Sequence, residues 1–256
     1  MGLWSLKSLV ASADCHLGVV VHDDGSLNEA DVSLIQGHLP GARIIPRHEA
    51  DRAMRDRLKD YPACLSFRFG DVTVTNHRGQ SYNMFIMSLI LFDMNLLTDC
   101  DKVIILDADV LFFRRPDIIA DWASSPDDHR ALYSVEAYKP KREANGKLSF
   151  GPKAARTLNS GLLCLTKSAF YDLRKIEDWV GSNPDLMYTS PVFEQLCYSS
   201  LVKQRADAVE LDPARYGFNY TTPESIATHF GIKRGFYENL PRSADMLIGK
   251  SSGVAS

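Results

Sequence analysis

This chain has few cysteines and no CxxC pair among them. The five (Cys15, Cys64, Cys100, Cys164, Cys197) are odd in number and widely spaced. Most have apolar neighbours, so they read as reduced core residues of a cytosolic protein rather than as a disulfide framework. A long hydrophobic run is missing too, since no stretch reaches the ~18 apolar residues of a membrane span. The opening MGLWSLKSLV is too short and wrongly flanked for a secretory signal. Leu6 stands where a myristoylation pattern requires Ser or Thr. There is no basic excess: 29 Lys and Arg face 32 Asp and Glu, a net charge of −3. That excludes a sequence-independent grip on nucleic acid, which needs a basic face. Repeats and low-complexity segments are absent. What remains is an ordinary globular composition, 45% hydrophobic and 24% charged over 256 residues. This length predicts one α/β domain over residues 1–248, followed by a disordered tail at 249–256.

Strand-like runs alternate with helical ones, as in layered α/β folds. Leu3, Leu6 and Val10 have the spacing of an apolar helix face. Leu17 to Val21 reads as a strand, and Ser26 with Glu29 as the capping box of a helix reaching about Gly37. Arg43 to Ile45 reads as a strand and Arg47 to Lys59 as a charged helix. Residues 60–80 read as irregular, and Tyr82 to Leu97 as a long apolar helix. Strands are expected at Lys102 to Leu106, Ala131 to Val135 and Gly161 to Thr166, with short ones near Val209 and Ile226 to Thr228. Helices are expected at Ser168 to Val180 and Pro191 to Lys203. The stretch 138–157 is basic and carries Pro140, Gly146, Gly151 and Pro152. By composition it reads as a mobile loop of the kind that often lies over a site.

The informative segment is VIILDADVLFF, residues 103–113. It is apolar except for Asp107 and Asp109, whose spacing on a strand aims both carboxylates at one face. Two close carboxylates repel, and one would take a proton unless a cation sits between them. A hard divalent ion with oxygen ligands answers that problem. A plainer reading is a pair of strand-end aspartates in salt bridges. The four apolar residues on each side of the pair favour the ion.

With its flanks, TDCDKVIILDADVL resembles the metal-binding strand of retaining glycosyltransferases of family 8, the glycogenin and lipopolysaccharide galactosyltransferase type. LGVVVHDDGSL is similar to that family's second strand and turn. LNSGLLCL resembles its (F/L)N(S/A)G strand, FEQL its acidic-Gln pair, and ATHFGIKRGF its closing H-x-x-G-x-x-K-P-W segment. The order of these motifs covers most of the chain. The resemblance implies a GT-A fold, a Rossmann-like, mostly parallel mixed sheet with flanking helices. It implies a manganese or magnesium ion and a nucleotide diphosphate sugar, UDP by resemblance. Asp107, Asp109 and His229 would then hold the metal. Asn159 and Gly161 would meet the donor sugar, with Asp107 also touching the donor. Gly231 and Lys233 would grip the diphosphate, and Gln195 with Glu194 would line the reacting face. A saccharide, a glycolipid or a protein remains open as acceptor, as does peripheral contact with a membrane. Taken singly, most of these residues have structural readings. HDDGS, for example, could be no more than a strand end and helix cap, although Asp23 and Asp24 within it are expected near the nucleotide side of the sheet.

Three departures from the family stand out. The family's opening strand would precede the helix at SLKSL, where this chain begins. Such a gap would leave neighbouring strands with unpaired backbone groups unless residues 1–16 or another segment filled it. Tyr82 to Asp101 holds no basic residue, where the family has one. The closing segment lacks Pro-Trp. Two rival functions follow, a non-catalytic sugar-nucleotide binder of the same fold and a DxD phosphatase or phosphotransferase. The latter wants a small hydroxyl residue where Leu111 stands.

Overall fold

The computed structural model describes residues 1–75, 79, 81–136, 141–142, 148–149, 156–203 and 205–251. Most of the basic stretch 138–157, and residues 252–256 of the expected tail, lie outside them. The chain divides into two compact units, the first made of Met1–Leu17, Ile104–Cys164 and Ala206–Ser256, the second of Gly18–Val103 and Leu165–Arg205.

The first unit holds most of a four-stranded mixed sheet, ordered Ala208–Glu210, Ala131–Glu136, Thr157–Thr166 and Lys102–Leu106. Beside it in the same unit is a three-stranded sheet of Tyr216–Phe218, Ala227–His229 and Val110–Phe112. Its core joins Val110, Phe112, Trp122, Leu132, Leu162 and Ile226, all at most 2% exposed. Val110–Phe112 ends the smaller sheet, two serines cover its free edge, and a third holds the turn before it. The Phe112 N–H donates to Ser8 Oγ (3.1 Å), and Ser243 Oγ donates to the Phe112 carbonyl (2.8 Å). Ser5 Oγ donates to the Asp107 carbonyl (2.8 Å). Ser5 and Ser8 belong to helix Gly2–Ala13, so residues 2–13 supply no strand. That helix buries Ser5, Ser8, Leu9, Ser12 and Ala13, whereas Leu3, Leu6 and Val10 are only half-buried. The serine face turns inward because an edge strand needs hydrogen-bonding partners more than it needs methyl groups. Helix Lys233–Ser251 supplies Ser243 and extends through 249–251, which the composition had assigned to the tail.

The second unit contains the parallel pair Val20–His22 and Arg43–Ile45. The first helix after it is capped by Asn28 and Asp31 rather than by Ser26 and Glu29. Asp24 Oδ1 accepts the Ser26 N–H, and Asp23 Oδ1 accepts from Gly25 and Leu27, so both aspartates are spent on the turn itself. Within the stretch expected to be irregular, Pro62–Phe69 is helical and Thr73–Thr75 is a strand. The Glu177 carboxylate accepts the Ala63 and Cys64 N–H groups (2.9 Å each), a cap more than a hundred residues away in sequence. The apolar helix expected from Tyr82 begins at Phe85 after the short strand Ser81–Asn83, and Leu89–Asp93 is a π-helical turn. Tyr198 Oη donates to the Ile90 carbonyl, and Tyr171 Oη and Asn95 Nδ2 to that of Leu91. Side chains inserted into the helical ladder in this way account for the widened turn. Phe67, Phe92 and Phe193 meet edge-on around it.

Candidate metal centre

Strand Lys102–Leu106 stops one residue before Asp107, so the two acidic residues do not alternate on a pleat. They lie on a tight turn closed by the Val110 N–H on the Asp107 carbonyl (3.3 Å). The turn, not the pleat, makes the carboxylates converge. Pairing between strands then brings in His229, which lies opposite Val110 in antiparallel register. The Phe230 N–H donates to the Asp109 carbonyl (3.0 Å). The imidazole Nε2 lies 3.0 Å from Asp109 Oδ1 and 3.5 Å from Asp107 Oδ2. One ligand atom from each of the three residues falls within 4.8 Å of the others. The side chains are 25%, 27% and 12% exposed for Asp109, Asp107 and His229, so solvent reaches them.

The tautomer of His229 follows from its surroundings. Asn159 Oδ1 accepts the Gly161 N–H (2.9 Å), and Asn159 Nδ2 donates to Glu136 Oε1 (3.2 Å). This orients the amide, so the 2.8 Å contact with His229 Nδ1 is donated by the ring. Nε2 is thereby aimed at the two carboxylates, as in metal-bound histidines whose other nitrogen is held by a second partner. Burial alone would lower the pKa of His229, but the hydrogen bond to Asp109, and then the charges of Asp107 and Asp109, lift it above its ordinary value. Burial raises that of Asp107; the His229 charge opposes the rise and Asp109 adds to it. Without a metal, a proton shared among these groups does the work of a cation.

Gly161 is required by space. A Cβ there would come within 2.5 Å of His229 Cε1 and 2.7 Å of Asp107 Oδ2. It sits in an irregularity of strand Thr157–Thr166, where Asn159 pairs with Ser134 but Leu163 pairs with Tyr133. Ser134 Oγ spans it, reaching the Asn159 and Leu162 carbonyls at 3.2 and 3.1 Å. Ser134, Glu136 and Ser5 are therefore parts of the centre that sequence reasoning missed. A serine inside the apolar run ALYSVE was the available signal.

Five of the nine expected site residues (Asp107, Asp109, Asn159, Gly161, His229) thus meet within the first unit. In the same unit Gly231 is exposed two residues past His229, and Lys233 is exposed at the start of its helix. Glu194 and Gln195 belong to the second unit, on helix Phe193–Val202, and both are buried.

No family model and no curated protein matches the sequence. Among solved structures, the chain is similar to the galactosyltransferase LgtC in complex with donor and acceptor sugar analogs. The two share 18% identity and a TM-score of 0.56, over 95% of this chain and 89% of that one. It is also similar to mouse xyloside xylosyltransferase 1, at 11% identity and a TM-score of 0.54, over 91% of each. The chain has the mixed α/β fold of GT-A glycosyltransferases. On that fold it carries a candidate DxD-type metal site of two carboxylates and an imidazole.

Proposed function

We propose that this protein is a metal-dependent glycosyltransferase of family 8. In this reading it moves a hexose from a nucleotide diphosphate sugar, UDP by resemblance, to a saccharide, glycolipid or protein, with retention of configuration. The observation that carries the proposal is the convergence of Asp107, Asp109 and His229 on a glycosyltransferase fold. Two hard oxygens and a neutral imidazole suit manganese or magnesium, and Gly161 leaves room where any side chain would fill the space. When bound there, the ion supplies Lewis-acid charge for the departing diphosphate.

The chain's own groups do the remaining work. Asn159 holds the His229 ring with Nε2 facing the carboxylates, and Gly161 lets ring and carboxylate approach one backbone. We assign both to building the centre, since the Asn159 amide is already engaged on both its ends. Lys233 adds a positive point charge for the diphosphate, and Gly231 lets the backbone near it. Gln195 and Glu194 would offer oxygen atoms to the developing positive charge on the sugar. We place the protein in the cytoplasm on its unpaired cysteines, five free thiols. No helix among the described residues is long and apolar enough to cross a membrane.

Calorimetry of UDP-sugars with manganese tests the reading. Binding should be lost in Asp109→Asn; donor binding that survives at full strength overturns it. Manganese-dependent hydrolysis of the donor separates an enzyme from a binding protein of the same fold.

A further inference from the structure

We propose that the second unit holds a binding site for a phosphorylated saccharide, in a cavity of about 310 Å³ lined by Arg47, Arg55, Arg68, Asp51, Phe69 and Phe85. Arg47 lines it two residues past the carboxyl end of strand Arg43–Ile45, an end at which open α/β sheets receive ligands. The frame of the cavity is a set of guanidinium groups stacked on rings. Arg68 lies over Phe85 and Phe69 at 4.6 and 4.8 Å, Arg47 over Phe85 at 4.1 Å, and Arg55 over Phe69 at 4.0 Å. Stacking holds the cations in place, and Arg47 is fixed further by Nη1 donating to the Asp24 carbonyl (3.1 Å) and by its pair with Asp51.

The donors are only partly used. Arg68 is 1% exposed; its Nε and Nη2 go to Asp93 at 2.7 and 2.9 Å, and Nη2 also goes to Asp51 at 2.8 Å. Its Nη1 has no hydrogen-bond partner. Arg55 makes no hydrogen bond or ion pair among the described residues. A buried guanidinium nitrogen without an acceptor is costly, and Arg68 Nη1 beside the unpaired side chain of Arg55 offers charge-assisted donors that fit the oxygens of a phosphate. Asp51, Asp71 and Asn83 also line the cavity and can accept from or donate to hydroxyl groups. Arginines with such acceptors match a ligand that is anionic at one end and hydroxylated at the other. The pKa of His22 falls to about 4, through burial first and then the charges of Arg43 and Arg68.

This inference does not rest on the metal centre, and a chelator keeps the two apart. With EDTA present, calorimetry would compare glucose-1-phosphate, inorganic phosphate and glucose on the wild type and on Arg55→Gln. The sugar phosphate should bind saturably, and most tightly of the three. Arg55→Gln should weaken it about tenfold, the loss of one charge-assisted contact. Its melting temperature and manganese affinity should not change. No saturable binding of the sugar phosphate overturns the proposal, as does equal binding by Arg55→Gln. Glucose binding as tightly as its phosphate overturns the anion site, and inorganic phosphate binding as tightly overturns the saccharide part.

Discussion

Two histidines lie in fields of opposite sign. His22, in the second unit, is held neutral down to about pH 4 by burial and by Arg43 and Arg68. His229, in the first unit, keeps its proton above the ordinary imidazole range because two carboxylates outweigh its burial. The units handle buried charge differently. In the second, the fork of Arg68 meets Asp93 and Asp51, and Arg47 also pairs with Asp51, so two fixed cations balance two carboxylates. In the first, the counter-charge that the described residues bring to the acidic pair is a titratable imidazole. A cluster balanced by arginine keeps its counter-charge at any ordinary pH. One balanced by a removable proton can exchange that proton for a metal.

The largest effect should come from breaking the self-neutralised cluster. Arg68→Met leaves the Asp93 carboxylate buried without its partner, at a cost of about 3–5 kcal/mol. Urea denaturation would measure the loss, and Arg68→Met/Asp93→Leu should recover much of it. A loss below roughly 1 kcal/mol in the single variant would show that the pair resembles an exposed one.

The second effect falls on the metal centre alone. Asn159→Ala frees Nδ1 of His229 while leaving every expected ligand in place. Manganese affinity should drop by about 10–100-fold, as for other partners behind a metal ligand, with a far smaller change in urea midpoint than for Arg68→Met. Unchanged affinity in a manganese titration would remove Asn159 from the centre.

The smallest effect, and the sharpest contrast, is in the response to pH. Ring-proton NMR should place the His22 midpoint near pH 4 and that of His229 above its ordinary value, about 6.5. The sign of the linkage then differs. The stability contributed by His22 is full above its unfolded value and lost as pH falls toward 4. That from His229 in the metal-free protein is full below its unfolded value and lost as pH rises through its raised one. Manganese binding should release protons, read from calorimetry in buffers of different ionisation enthalpy. The same midpoint for both rings would abolish the contrast.

Much of the site was legible in the chain because it is local. LDADVL carries both carboxylates within three residues, and Gly161 and His229 stand inside short segments of family-like spacing. Strands Arg43–Ile45 and Lys102–Leu106 match the predicted runs residue for residue, since an apolar run bounded by a turn is a local signal. Other features depend on distant partners. The helix at Pro62–Phe69 is capped by Glu177, and the buried face of Gly2–Ala13 is decided by Phe112, which needs hydroxyl partners.

By itself, then, the sequence determined the class of layered fold, the acidic pair and the repulsion within that pair, because charge and apolar periodicity are written residue by residue. The tertiary structure decided which nitrogen of His229 faces the carboxylates. It also decided that a turn rather than a pleat brings Asp107 and Asp109 together, and that Arg68 closes on Asp93 while leaving Nη1 buried without a partner. Each of these is a matter of register and of hydrogen bonds between segments far apart in the chain, and no local pattern encodes them.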